Sequence, residues 1–200
     1  MRLGCRICAS HTCVCGETVD ENGLHGLACK KSAGRFSRHS ALNDTIKRTL
    51  SSIAIPSVLE PPGLTRSDGR RPDGLTTVPW SHGKLLIWDV TVVDSLSSSR
   101  QSRPTNFTNE AERLKNLKYE DLVESGYIFQ PIAFDVQGNY GDRSAEFLDQ
   151  LCRRLVDFTK ERRSGQFLMQ KLSILLQIFN NACILGTVEA GTPLDEIFLN

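Results

Sequence analysis

From residue 38 the apolar positions fall three and four apart. Leu42, Ile46, Leu50 and Ile53 share one face with His39, which predicts an amphipathic helix that Pro56 ends. Residues 57–60 read as a short extended run stopped by Pro61-Pro62-Gly63, and residues 71–78 as a second. A tight connection at Ser81-His82-Gly83 leads into the strongest strand pattern of the chain, 84–94. The serine-rich stretch 96–105 predicts a loop, 107–124 a helix capped by Thr105 or Thr108, and 127–136 another apolar strand. After the turn at Gly138-Asn139-Tyr140-Gly141, two amphipathic helices, 144–163 and 167–185, are split at Ser164-Gly165, and the residues beyond Gly186 read as a tail. Helix, three strands, helix, strand and two helices predict a mixed α/β layer architecture.

Residues 1–34 carry no such periodicity. Large apolar groups are few, so this stretch cannot order itself by burial and needs another source of stability. Cys5, Cys8, Cys13, Cys15 and Cys29 crowd it, together with His11 and His25. Clustering of this kind without a secretory leader points to metal rather than disulfides. Zinc takes four nitrogen or sulfur ligands in a tetrahedron, and Cys13, Cys15, His25 and Cys29 supply such a set. Cys5, Cys8 and His11 lie just upstream, which leaves ligand exchange or a second partial site open. Cys152 and Cys183, far off in apolar helical runs, read as small buried hydrophobes.

The chain thus divides into a Cys/His zinc-binding segment (1–34), an α/β core (35–140), a packed helical pair (141–185) and a tail (186–200). Two hundred residues suffice for one domain with such an appendage. No apolar run approaches the roughly 20 residues of a membrane span, and no basic-then-apolar leader is present. The expectation is an intracellular protein that uses no membrane, with cytoplasm and nucleus both open on composition alone. A formal charge of +1 conceals an asymmetry, because residues 30–71 hold nine basic side chains against three acidic ones. Lys30, Lys31, Arg35, Arg38, Arg70 and Arg71 are therefore candidates for phosphate contacts, although a solvated basic face has the same composition.

The candidate chemistry lies in the strands. Side chains two apart on a strand share a face, so Asp89 points with Ile87 and Thr91, away from Trp88 and Val90. A carboxylate inside so apolar a strand needs a cation or a buried Lys or Arg. Asp73 sits in Arg71-Pro72-Asp73-Gly74, which reads as a common turn or as a site where glycine lets a ligand approach. On the 107–124 helix, Phe107, Ala111, Leu114 and Leu122 form a stripe with Lys118 at its centre and Lys115 at its edge. Lys118 either snorkels outward or reaches a buried carboxylate; with unpaired acids nearby, the second reading ranks higher.

These residues resemble the PD-(D/E)xK nucleases, and in particular the restriction-like endonuclease domain at the C-terminal end of site-specific non-LTR retrotransposon polyproteins. The resemblance spans about residues 13–185. It rests on Cys13-x-Cys15 with His25-x-x-x-Cys29, then Arg71-Pro72-Asp73, then Asp89-x-Thr91, then Lys118-Tyr119. It implies a restriction-endonuclease-like αβββαβ core in which Asp73 and Asp89 bind Mg²⁺ or Mn²⁺ for hydrolysis of DNA phosphodiesters. Thr91 stands where the family often has its lysine, so the resemblance implies a lysine displaced onto the following helix, Lys118 first and Lys115 second. His39 and Asn43 occupy the region where relatives place an additional acid and are supporting candidates with Thr91 and Tyr119. Glu60 either completes the metal shell or is a surface acid. The implied partners are target DNA, the element's RNA and a reverse transcriptase domain. Two other readings stand beside a nicking enzyme for retrotransposon integration: a decayed nucleic-acid-binding module, and a host repair or junction-resolving nuclease.

Overall fold

The computed structural model describes residues 6–64, 69, 71–97, 106–189 and 191–193. They form a mixed α/β structure with six helices and two sheets, the larger four-stranded. A two-stranded ribbon, β1 (His11–Thr12) and β2 (Thr18–Val19), precedes the short helix α1 (Leu24–Ala28) and the long helix α2 (Gly34–Ser52). Strands β3 (Ser57–Leu59), β4 (Gly74–Thr76) and β5 (Leu86–Val93) run antiparallel in sequence, and β6 (Ile128–Asp135) joins β5 in parallel. The crossover from β5 to β6 carries α3 (Phe107–Lys118) and α4 (Glu120–Glu124). Two helices, α5 (Asp142–Thr159) and α6 (Ser164–Leu185), follow β6.

Alternation along β5 separates two cores. Leu86, Trp88 and Val90 face the main core, which α2, α5 and α6 close with Leu42, Ile46, Leu50, Phe147, Leu151, Leu168, Leu172 and Leu176. Ile87 faces the other way, onto Tyr119 and Phe129. Asp89 shares that second face, as strand parity requires. The turn into β5 has positive φ at both His82 (48°) and Gly83 (72°), the backbone form of a two-residue hairpin turn.

Gly74 has a packing reason that the turn reading of Pro-Asp-Gly lacks. A Cβ there would stand 2.0 Å from the Trp88 ring, so the indole lies directly over the β4 backbone. Gly74→Ala should therefore displace Trp88 and cost about 1–3 kcal/mol or more. Urea unfolding checks it, and an unchanged midpoint would show that the ring has room to move.

The helix over 107–124 departs from expectation in three ways. It is capped by Asn106, whose side chain accepts from Asn109 N, rather than by Thr105 or Thr108; Thr105 lies outside the described residues. It breaks at Tyr119 into α3 and α4. Its buried side is Thr108, Glu112 and Tyr119, while Leu114 and Leu117 face solvent. The apolar stripe misplaced that side because Glu112 is buried for an electrostatic reason. Its carboxylate accepts the Arg143 and Ser144 N–H groups in the first turn of α5, where a helix presents unpaired donors and positive charge.

The Cys/His segment packs on the C-terminal helix: Ile184 of α6 lies among Cys8, Cys13, Val19 and Cys29, and a Cβ on Gly34 would strike the α6 backbone at Cys183, 2.5 Å away. The stretch after Gly186 begins as part of this assembly, since Thr187 is buried and its carbonyl accepts Val14 N at 2.9 Å. Residue 190 and residues 194–200 lie outside the description. By length and composition alone α6 is long and apolar enough to cross a membrane, a property that the core helix of a soluble protein shares. In this fold its buried side packs on α2 and α5.

Candidate active site and metal centre

Asp73 immediately precedes β4, and its carboxylate points back onto β5. Its Oδ2 accepts the Val90 backbone N–H at 2.6 Å and Asn43 Nδ2 at 3.1 Å, and its Oδ1 lies 3.1 Å from His39 Nε2. Trp88 sets the orientation of the Asn43 amide by donating from Nε1 to Oδ1 at 2.9 Å, which turns the NH₂ group toward Asp73. One indole thus covers Gly74 and aims Asn43. His39 and Asn43, one helical turn apart on α2, hold both carboxylate oxygens.

The electrostatics of this pair reinforce each other. The hydrogen bond that His39 donates to Asp73 is the main reason that His39 is raised above the ordinary imidazole range, against an opposing desolvation. For Asp73 burial is the largest influence and acts upward. The His39 hydrogen bond and charge, the Val90 N–H and Asn43 together outweigh it, so the carboxyl titrates below its usual value. A raised imidazolium stabilises the fold fully below its unfolded value of about 6.5, and that contribution is lost as pH rises through the folded value. The depressed carboxylate contributes above about 3.9, and its share is lost as pH falls through its folded value. In metal-free protein His39→Gln should flatten the alkaline side of the stability curve. Urea midpoints at pH 5.5 and 8.5 that differ equally in both proteins would remove the ion pair from this account.

Asp89 is the more deeply buried acid, its side chain 4% exposed. Lys115 Nζ makes a short direct ion pair with Oδ1, and Tyr119 OH lies 2.6 Å from Oδ2. Lys118 Nζ stands 3.8 Å from Oδ2 and donates to Tyr119 OH at 2.6 Å. The tyrosine hydroxyl is also 2.9 Å from the Arg71 carbonyl, and its single proton serves one of these acceptors at a time. Both lysines reach the acid, but in the reverse of the expected order. Lys115 makes the direct contact because the buried side of α3 is centred near Glu112 and Tyr119, a rotation the apolar stripe did not reveal.

The two acids are neighbours through the backbone: the N–H that Asp73 accepts belongs to the residue after Asp89. Thr91 shares the Asp89 face and, with Arg35, Val92 and Lys115, lines both of two adjoining clefts of about 720 and 350 Å³. His39 and Phe36 line the smaller, Lys118 the larger. A roomier hollow of about 1070 Å³ between α5 and α6 contains none of these groups, so volume alone does not locate the chemistry.

Other expected residues are placed elsewhere. Glu60 does not join the aspartates; its carboxylate pairs with the Arg71 guanidinium at the surface. Arg38 is buried, donating to Asn180 Oδ1 at 2.7 Å and to the Leu27 carbonyl at 3.2 Å, so it ties α2 to α6 instead of meeting phosphates. Lys30, Lys31 and Arg35 are exposed. Lys31 donates to the Val14 carbonyl at 3.3 Å and Arg35 to that of Ala28 at 3.2 Å. Arg70 lies outside the described residues. Trp88 and Glu112 were missed. Their signals, an indole needing a polar partner and a lone acid on the inner side of a helix, are legible only once a face is known.

No family model and no curated protein sequence matches the chain. What the site can do therefore rests on its own chemistry.

At the N-terminus, Cys13 Sγ and Cys29 Sγ are 3.6 Å apart, Cys15 Sγ and His25 Nε2 3.2 Å, and all four ligand atoms lie within 4.8 Å of one another. A tetrahedral zinc with bonds of about 2.3 Å to sulfur places two thiolates roughly 3.8 Å apart, so the group can hold a metal such as zinc. Burial is the main cause that pushes the Cys13 thiol up to about 11. A bound cation reverses that balance by deprotonating its ligands. The neighbouring candidates are otherwise engaged: Cys8 Sγ donates to the Asp20 carbonyl, and His11 bonds Ala9 O and Thr187 Oγ1. Cys5 lies outside the described residues.

Proposed function

We propose that this protein is a metal-dependent endonuclease that hydrolyses DNA phosphodiester bonds. The observation that carries the reading is the pairing of Asp73 and Asp89 through Val90, with Lys115 on Asp89, beside clefts that Arg35 and Lys118 make basic. Two further features support it. The order α2, β3, β4, β5, α3, β6, with β6 parallel to β5, is the αβββαβ order that the nuclease resemblance implies. The carbonyl of Val90 points to the same strand edge as its N–H, toward Asp73 and beyond the end of β4.

Asp73, Asp89 and that carbonyl would hold the cation, as hard oxygen donors of the kind Mg²⁺ or Mn²⁺ takes. Bound there, it would supply Lewis-acid stabilisation of the phosphoryl oxygens and a more acidic water. The remaining work belongs to the chain. Lys115 orients the nucleophilic water and stabilises negative charge developing on the phosphate. Tyr119 and Lys118 hold the second oxygen of Asp89, and Asn43 and His39 hold Asp73. Lys30, Lys31 and Arg35 meet the backbone of the nucleic acid. Zinc in the Cys13/Cys15/His25/Cys29 group braces the start of α2. The wider setting we infer is target nicking for a retrotransposon in the nucleus, beside a reverse transcriptase domain.

The test is nicking of supercoiled plasmid by zinc-loaded protein with and without added Mg²⁺. Absence of any Mg²⁺-dependent nick would overturn the reading. Between the lysines, Lys115→Met should slow the nick by about 10²–10³-fold, as for loss of a charge-stabilising donor. Lys118→Met, which acts through Tyr119, should cost about tenfold. Equal effects would mean that both lysines serve the same function.

A further inference from the structure

We propose that Phe36 is a stacking platform for an unpaired nucleobase, and hence that the substrate carries an unstacked nucleotide beside the bond to be cut. The inference rests on the nuclease reading only for the position of that bond. Phe36 is 75% exposed, the most exposed large hydrophobic side chain among the described residues. It stands in the first turn of α2, where no packing demands an aromatic ring, and exposure of so large an apolar surface has to be offset by something else.

Helical spacing gives the ring its direction. Phe36, His39 and Asn43 lie at i, i+3 and i+7 on one side of α2. Asn43 is buried against Asp73, His39 is half-buried on the same carboxylate, and Phe36 continues the row outward. Phe36 lines the smaller cleft together with His39, Thr91 and Lys115, so it stands beside the side chains that hold Asp73 and Asp89. Arg35, exposed beside it, lines both clefts.

An aromatic face flanked by cations fits single-stranded nucleic acid. The cations track phosphates, the ring accepts the π-face of any base, and the contact is indifferent to sequence. A paired base inside a duplex offers no free face. Phe36 therefore distinguishes unpaired from paired DNA, which the exposed lysines and arginines cannot do.

Binding without cleavage separates this inference from the nuclease reading. Zinc-loaded protein without added Mg²⁺ is titrated into a single-stranded oligonucleotide bearing a central 2-aminopurine, and into the corresponding duplex. Wild-type protein should alter the single-strand fluorescence, and Phe36→Ala should abolish that change. Phe36→Ala should also weaken single-strand binding about five- to a hundredfold, with duplex binding changed less than twofold. Phe36→Trp should restore the signal. Equal single-strand affinity for wild type and Phe36→Ala, equal weakening toward both DNAs, or no binding of single strand by wild type would each overturn the proposal. A stacking signal from a protein that nicks nothing would leave Phe36 as assigned and remove the nuclease instead.

Discussion

Asp89→Asn should reduce Mg²⁺-dependent nicking by at least about 10³-fold while the protein still binds DNA. The substitution keeps the shape of the side chain and removes only its charge. Two consequences follow at once. A cation held there, as proposed, would lose a hard anionic ligand, and Lys115 and Lys118 lose the carboxylate that holds them in place. Asp73→Asn should act as strongly through a different set of partners, because His39 and the Val90 N–H then face a neutral amide. DNA affinity without metal should change little in either variant, since neither acid meets phosphate directly. If single-turnover nicking by both variants stays within tenfold of wild type, the metal site lies elsewhere and the nuclease assignment of these residues fails. Stability provides a separate control. Asp89 is buried at 3% exposure, so an isosteric amide there relieves a buried charge even as it strands Lys115, and the net change in unfolding midpoint should be modest.

How much of this could be read in the chain depended on which signal each residue obeys. Hydrophobic periodicity placed α2, β5, β6, α5 and α6, because in each the buried face is apolar. Strand parity put Asp89 on the face of Ile87, a consequence of backbone geometry alone. Periodicity failed on α3, whose inner side carries Thr108, Glu112, Lys115 and Tyr119 while Leu114 and Leu117 look outward. There burial follows hydrogen bonding and charge, which have no period. The same failure exchanged Lys115 with Lys118. Arg38 was misread for a related reason: a basic side chain near a basic surface suggests phosphate, but its partners, Asn180 and the Leu27 carbonyl, are distant in sequence or made of backbone. The ligand set at the N-terminus was legible as residue types and spacing. Its exclusion of Cys8 and His11 was not, since both are drawn off by contacts with residues 20 and 187.

Cys13→Ser, or removal of the metal by a strong chelator, should release about one zinc per chain and disorder residues 6–33 together with the end of α6. Beyond the metal, the segment is held by Leu27, buried against Cys183 and Val136, and by the small apolar cluster around Ile184. Zinc binding in comparable peptides contributes on the order of 10–16 kcal/mol, more than a cluster of that size supplies. The loss should propagate in a defined direction. Val14 N is held by the Thr187 carbonyl and Gly34 packs on the α6 backbone, so loosening the knuckle frees the start of α2, where Arg35 and Phe36 stand. The main core of α2, α5, α6 and β5 is anchored by other residues and should persist. Hydrogen exchange should therefore show loss of protection at residues 11–36 and 183–188 with little change at Leu42, Trp88 or Leu151. A protein that is isolated without zinc, or a Cys13→Ser variant that retains it at full stoichiometry and exchange protection, would sink the metal centre.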